Sequence, residues 1–366
     1  MRKHDRENKR LYVLVIAPGL NTEGGITTVV DRVTTAISCS SCVEIRWIAT
    51  HRSGSILAKL FQAILGFLEA AYHIHKYDIV HIHSSANTSF MRKSIFFWLA
   101  KAFRVPVIWH LHAPDRDFVE FFGRSLGTYG KFVLGRCCYV IVLSERWGEL
   151  ARKIIPSARV KVIYNPAPDI KGYNIDVRSS HPQRILYLAH LIPRKGYSYL
   201  IRAFAQVAEE FPDSRLIFGG SGEIAEAKTL CADLGISDRV NFLGWIKDPA
   251  RTDELKKASI FVLPSFQEGL PMGVLEAMAY SLPVIVTPVG GIPDVIRDME
   301  NGLFVEPGNT ESIAAAMQKL LSDRNLRDTI GKRARDSVLE LSPNSISEKW
   351  ISLYETSLLD HKKVSV

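Results

Sequence analysis

Nowhere does this chain approach the roughly 20 consecutive apolar residues that a membrane-spanning helix needs. A helical membrane span is therefore not expected. The opening decapeptide MRKHDRENKR is charged and runs straight into a short apolar stretch, so no secretory leader is expected either. Cysteine is scarce: five residues, an odd number, in a long core-rich chain argue against a disulfide framework. Cys39 and Cys42 form an isolated C-x-x-C with no second pair at zinc-ligand spacing, and are read as incidental thiols. Low-complexity tracts, short-period repeats and any recognisable nucleic-acid module are also missing. A disordered scaffold, a solenoid and a nucleic-acid binder are thus not expected.

What is present is ordinary globular material. Hydrophobic residues make up 47% and charged residues 23% of 366, a length that one core rarely covers. Charge is uneven. Residues 1–170 carry 23 Lys and Arg against 13 Asp and Glu, a balance of +10. Residues 171–366 carry 23 against 25. A basic first half suits an anionic partner: a nucleic acid, a phosphorylated metabolite or an anionic lipid surface.

Short apolar runs at 11–18, 45–49, 79–83, 105–111 and 139–143 alternate with helical patterns such as 56–75 and 91–103. A polar segment with three prolines follows at 164–182 and reads as a linker. The alternation then restarts with runs at 184–188, 215–218, 240–243, 260–263 and 284–286. This predicts an α/β protein of two doubly wound, Rossmann-like domains, each a parallel sheet covered on both faces. Ligands in such sheets sit beyond the carboxyl ends of the strands. The expected site is a cleft between the two domains.

Residues 267–279, QEGLPMGVLEAMA, place Glu268 in the loop leaving a strand and Glu276 eight positions on, inside the next helix. Pro271 suits a helix start, where its missing N–H costs nothing. The backbone N–H groups of Gly269 and Leu270 at that terminus form an anion site. Carboxylates beside an anion site are explained by a ligand with both phosphates and hydroxyls. A nucleotide sugar has two sugars flanking a diphosphate, and two glutamates could grip both.

The chain here resembles the retaining glycosyltransferases of family 4, whose hallmark is E-x7-E followed by A-M-A or a close variant. Residues 189–196 (AHLIPRKG) resemble that family's G-R-x-x-x-x-K-G, and 240–244 (VNFLG) its V-x-F-L-G. Residues 281–294 (SLPVIVTPVGGIPD) and 301–308 (NGLFVEPG) resemble two further family segments. The likeness is close over about 184–322 and looser before it. It implies the GT-B fold: an N-terminal domain of 1–170 on the acceptor side, and a nucleotide-sugar domain of 171–344. A final helix, about 345–366, would cross back to the first domain. Glu276 would bind the ribose, and Glu268 the donor sugar's hydroxyls near the transferred carbon. Gly269 and Leu270 would line the sugar–phosphate pocket, Lys195 would neutralise the leaving diphosphate, and Ile246 would touch the base through its backbone. One departure stands out: His190 occupies the place of the family's arginine, and Ala189 that of the preceding glycine. His190, or Arg194 in its stead, would then complete the phosphate clamp.

In the first half, Gly24 and Gly25 follow the first strand and would let the backbone approach the diphosphate. His81 with His83, and His110 with His112, alternate on two strands, so each pair shares a face. They are read as polar strand ends facing the cleft rather than as a metal site. The segment PVIWHLHA (106–113) resembles the family stretch that would put His112 in the reaction pocket. Asp115-Arg116-Asp117 is a D-x-D, read as chance spacing or an acceptor contact. Residues 91–104, with Phe96, Phe97, Trp98, Arg92, Lys93, Lys101 and Arg104, form a basic aromatic helix that could lie in a membrane interface, as could the stripe at 56–72.

The resulting expectation is a metal-independent retaining transfer from a nucleoside-diphosphate sugar to an acceptor hydroxyl, with no cofactor. The acceptor would be a saccharide or lipid-linked saccharide of bacterial cell-surface polysaccharide or glycolipid synthesis. The enzyme would be cytoplasmic, peripheral on the inner face of the membrane. Alternatives are a nucleotide-sugar epimerase or hydrolase, or a non-catalytic nucleotide-sugar binder.

Overall fold

The computed structural model describes residues 10–20, 22–38, 42–52, 54–112, 115–170 and 183–364. Cys39 of the C-x-x-C and residues 171–182 of the expected linker lie outside these. The chain divides into two units, Met1–Pro166 with Pro343–Val366, and Ala167–Ser342.

The first unit is built on a six-stranded parallel sheet. Its strands are β1 (Leu11–Ala17), β2 (Val43–Ala49), β3 (Ile79–Ser84), β4 (Val107–Leu111), β5 (Tyr139–Val142) and β6 (Val160–Val162). The spatial order is β2-β1-β3-β4-β5-β6. β3, β4 and β5 are buried along their whole length. That is why β5 reads as a continuous apolar run, whereas β3 and β4 carry their polar residues as buried histidines and a buried serine.

Register decides what the histidines do. β3 and β4 pair with His83 opposite His110 and His81 opposite Ile108. His81, His83 and His110 therefore share one face and stack: ring centroids lie 4.0 Å apart for His81–His83 and 4.9 Å for His83–His110. His112, just past β4, adds a fourth ring 4.1 Å from His110. The helix Pro343–Val364 covers this layer, with Trp350 4.6 Å from His81 and the Tyr354 hydroxyl 2.9 Å from His81 Nδ1. Trp350 is fully buried, and a tryptophan so placed is worth about 3–5 kcal/mol against alanine. The same helix is held at its far end by Asp360, which accepts from the Tyr139 hydroxyl and from Arg159. His81, His83 and His110 are thus core residues beneath a helix, not polar strand ends open to a ligand.

In the second unit the strands are β7 (Arg184–Tyr187), β8 (Arg215–Phe218), β9 (Val240–Phe242), β10 (Ile260–Leu263), β11 (Val284–Val286) and β12 (Leu303–Phe304). Their order is β12-β11-β10-β7-β8-β9, all parallel. This is the doubly wound order in which the chain starts in the middle, builds one half outward and then returns to build the other. The reversal falls between β7 and β10. Loops leaving those two strands diverge to opposite faces and leave a crevice at their carboxyl ends. β6 and β12 were not legible as strands: one is a three-residue V-K-V, the other two residues long.

Candidate active site

Both loops at that reversal carry ionic side chains. The loop after β7 ends in the short turn Pro193–Lys195, and the loop after β10 runs from Pro264 to Pro271 before the helix Met272–Ala279. Phe266 N–H donates to the Arg194 carbonyl at 2.8 Å and ties the two loops together. Gly196 has φ +69°, and a Cβ there would run into the Pro264 carbonyl oxygen. Only glycine allows both that dihedral and that approach.

Lys195 Nζ consequently donates to both oxygens of Glu268, at 2.6 and 2.7 Å. The Ser265 hydroxyl donates to Glu268 Oε1 at 2.7 Å, and Thr287 Oγ1 in turn donates to the Ser265 carbonyl. The side chains of Lys195 and Glu268 are only 15% and 5% exposed. Such a pair is stable because each charge compensates the other's desolvation; removing one partner strands the other.

The loop after β11 closes on the same place. Gly290 has φ +60°, and a Cβ there would strike the Glu268 carbonyl oxygen. Gly291 N–H donates to the Gly269 carbonyl at 2.6 Å. Gly290→Ala is expected to cost about 2–5 kcal/mol, from about 1–2 for the left-handed dihedral and about 1–3 for overpacking. Thermal unfolding of the purified variant measures it, and an unchanged melting temperature would contradict the close approach.

Glu276 lies in the helix and is buried, with Arg251 Nη1 3.3 Å from its Oε1. Arg251 also reaches Asp248 Oδ2 at 2.9 Å. Burial alone would lower the arginine's pKa, but Glu276 and Asp248 outweigh it and raise it. His190 Nδ1 lies 3.0 Å from the Ser221 hydroxyl, and its ring stacks on Trp245 at 4.8 Å. The residue in the arginine's place is therefore held by a serine and an indole. Ile246 packs its side chain toward Gly219, where a Cβ would come within 2.9 Å of Ile246 Cδ1.

Three residues and one loop escaped the sequence reading. Ser265 and Arg251 reach the two glutamates only through the fold. Thr287 supports Ser265 from a different strand. The loop Gly219-Gly220-Ser221-Gly222 after β8 pairs with the loop after β7: Leu191 N–H donates to the Ser221 carbonyl and Glu223 N–H to the Leu191 carbonyl, each at 2.8 Å. A Cβ on Gly220 would collide with the Ala189 carbonyl. Three glycines in four residues directly after a buried strand was the signal available for it.

In the first unit, Gly24 has φ +144°, a conformation that side chains rarely adopt, and neither Gly24 nor Gly25 would bring a Cβ within 4 Å of any other atom. Space remains for an incoming group there. His112 Nε2 lies 2.9 Å from His83 Nδ1. The second residue of the D-x-D, Arg116, pairs with Glu120 at 2.9 Å; the Asp115 side chain is outside the described residues. Among the described residues, one group could be assembled as metal ligands: His81, His83 and His110, with ring nitrogens within 4.8 Å of one another. Zinc held at about 2.1 Å would need them within about 4.2 Å, about 3.4 Å if tetrahedral. No carboxylate joins the group, and the fully buried Lys93 donates to the His83 carbonyl beside it. The layer fits stacked neutral imidazoles better than a dication.

Two family models cover most of the chain: Glycosyltransferase Family 4 matches residues 12–169, and Glycosyl transferases group 1 matches residues 175–337. An uncharacterized glycosyltransferase of Methanocaldococcus jannaschii is 29% identical over 314 residues, 78% of this chain and 77% of that protein. The N-acetyl-alpha-D-glucosaminyl L-malate synthase of Bacillus anthracis is 29% identical over 297 residues, 77% of this chain and 74% of that enzyme. The solved structure of Anabaena HepE in complex with UDP and glucose superposes with a TM-score of 0.74 at 18% identity, over 95% of this chain and 100% of that one. That last likeness speaks for the fold alone. With the E-x7-E carboxylates following β10 and Lys195 following β7 at the strand-order reversal, the chain belongs to glycosyltransferase family 4, the group 1 glycosyl transferases, and has the GT-B fold.

Proposed function

We propose that this glycosyltransferase moves a sugar from a nucleoside-diphosphate sugar to an acceptor hydroxyl with retention of configuration. The observation that carries the reading is the buried Lys195–Glu268 pair at the point where the strand order reverses. It offers a fixed cation and a fixed carboxylate together, which is what a ligand with phosphates and hydroxyls requires. Glu268 orients the donor sugar's hydroxyls. Glu276, held by Arg251, accepts from the ribose. Lys195 faces the diphosphate, with His190, Arg194 and the backbone of Gly269 and Leu270 around it, and Ile246 against the base. We assign Gly24, Gly25 and His112 of the first unit to the same reaction, as the family resemblance implies.

In the reaction, the acceptor oxygen bonds to the anomeric carbon on the face from which the diphosphate leaves. The breaking C–O bond's electrons go to the diphosphate, and a phosphate oxygen takes the acceptor's proton. Charge grows on the departing oxygen, so Lys195 acts most strongly in the transition state. The UDP and glucose bound by Anabaena HepE support a nucleotide-sugar donor. We assign the acceptor to saccharides or lipid-linked saccharides of the cell surface, and the enzyme to the inner face of the cell membrane.

Thermal melting with UDP-, GDP- and ADP-sugars tests the donor. A ligand at about 100 times its Kd adds about 2.7 kcal/mol to stability. One nucleotide class is expected to shift the midpoint in the wild type and to lose most of that shift in Glu276→Ala. No shift with any class, at millimolar ligand, overturns the reading. Proton NMR of the transferred sugar's anomeric signal then decides retention.

A further inference from the structure

Helix Ile56–His73 is apolar on both sides. Gly66 lets one side close onto the first sheet: a Cβ there would sit 2.6 Å from the Ala49 carbonyl oxygen. The other side carries Leu57, Leu60, Phe61, Ile64, Leu68 and Tyr72, each between 50% and 78% exposed. At about 100° per residue these six fall in an arc of about 120° along a helix about 27 Å long. No charged residue lies within the arc. An exposed apolar patch of this size marks an interaction surface.

The patch continues across two neighbouring helices. Thr88–Ala102 packs alongside through Phe67 and Phe96, and Ser125–Leu134 follows through Trp98 stacked on Phe132. Phe96 and Phe97, read from the sequence as possible membrane bulk, are core residues; Ile95 and Trp98 of the same helix are exposed, as are Leu126 and Phe132. The charges around this face have one sign. Segments 56–76, 88–104 and 124–136 hold nine Lys and Arg, of which Lys93 is buried, and a single acid, Glu69, which is paired with Arg46 at 2.8 Å. The cations sit against the exposed rings: Arg136 lies 3.6 Å over Phe132, and Lys76 5.3 Å over Tyr72.

We propose that this three-helix face docks on an anionic lipid bilayer, with helix Ile56–His73 lying in the interface plane. Apolar side chains enter the acyl boundary while the basic ones reach anionic headgroups. Charge complementarity selects lipid over a second copy of the chain. A two-fold contact would set this basic rim against itself, whereas anionic headgroups neutralise it. The inference rests on the reading of the chain as a transferase working beside a membrane, but its test uses no turnover.

The test is co-sedimentation with vesicles of phosphatidylcholine containing roughly one-third phosphatidylglycerol, compared with phosphatidylcholine alone. The wild type is expected to pellet with the anionic vesicles and to be released at about 0.5 M salt. The variant carrying Leu60→Ser, Phe61→Ser and Leu68→Ser is expected to bind about tenfold more weakly, with its melting temperature and nucleotide-sugar shift unchanged. Wild-type protein that stays in the supernatant, or a triple variant that pellets equally well, overturns the proposal. So does a wild-type dimer that the triple substitution splits while vesicles bind neither form. If vesicles bind but no nucleotide sugar shifts the melting point, the docking surface stands and the donor assignment falls.

Discussion

Lys195→Ala is expected to lower kcat about 10²–10³-fold while changing KM far less, because the lysine meets its full partner charge only as the diphosphate departs. Glu268→Ala is expected to fall at least as far, since it removes both the hydroxyl contact and the lysine's anchor. The two are a unit, bonded at 2.6 and 2.7 Å. The double variant should therefore lose much less than the product of the single losses. Stability must be read in parallel. Lys195→Ala leaves a carboxylate that is 5% exposed and still accepts from the Ser265 hydroxyl, a situation that costs about 3–5 kcal/mol. Lys195→Arg keeps the charge and should recover stability more fully than rate, because a planar fork does not reproduce a point charge. Turnover within threefold of wild type for a folded Lys195→Ala would remove the lysine from the mechanism.

Why the sequence disclosed one half of this site and not the other follows from distance along the chain. Glu268 and Glu276 sit on one strand–loop–helix unit, and Lys195 on another of the same kind, so a short motif marks each. Arg251 reaches Glu276 from a preceding helix, whereas Ser265 lies only three positions before Glu268 and meets it through the bend of one loop. No local pattern encodes the first contact, and a lone serine three positions before a glutamate is too common to mark the second. Strands behaved the same way. Buried parallel strands such as β5 and β10 are unbroken apolar runs, whereas β6 is interrupted by the exposed Lys161 and β12 is too short to show a period. Apolar helices carry a further ambiguity. Composition shows that residues 56–73 are hydrophobic; only the packing of Gly66 on Ala49 shows which side is left uncovered. Likewise, spacing put His81 with His83 and His110 with His112. The β3–β4 register and a helix some 270 positions away made them one covered layer.

That layer should make the first unit acid-labile. Burial drives the pKa of His81 from 6.5 down to about 3, and holds His83 and His110 well below their ordinary value. A histidine depressed in the folded state stabilises it fully above the unfolded pKa, near 6.5. That contribution is lost as pH falls toward the folded pKa. By pH 5.5 the unfolded chain has taken up most of a proton at each of these rings while the folded layer has not, a cost on the order of 1 kcal/mol per ring and a few kcal/mol for the layer. Domains hold only about 5–15 kcal/mol in total. Lys93 does not blur the slope. Burial, with Arg92 adding to it, lowers its pKa from 10.5 to about 7, so its penalty builds between those values and is nearly complete below the lower one. Calorimetry at pH 7.5 and 5.5 should therefore show a steep loss in the first unit. His110 supplies the control, since among the described residues neither of its buried ring nitrogens has a hydrogen-bond partner. His110→Phe keeps a planar ring, removes a group that must bind a proton on unfolding, and is expected to flatten the acid slope by about one proton. A wild-type midpoint unchanged over that range, or a His110→Phe slope equal to the wild type's, would show that the imidazoles do not open to solvent when the unit unfolds.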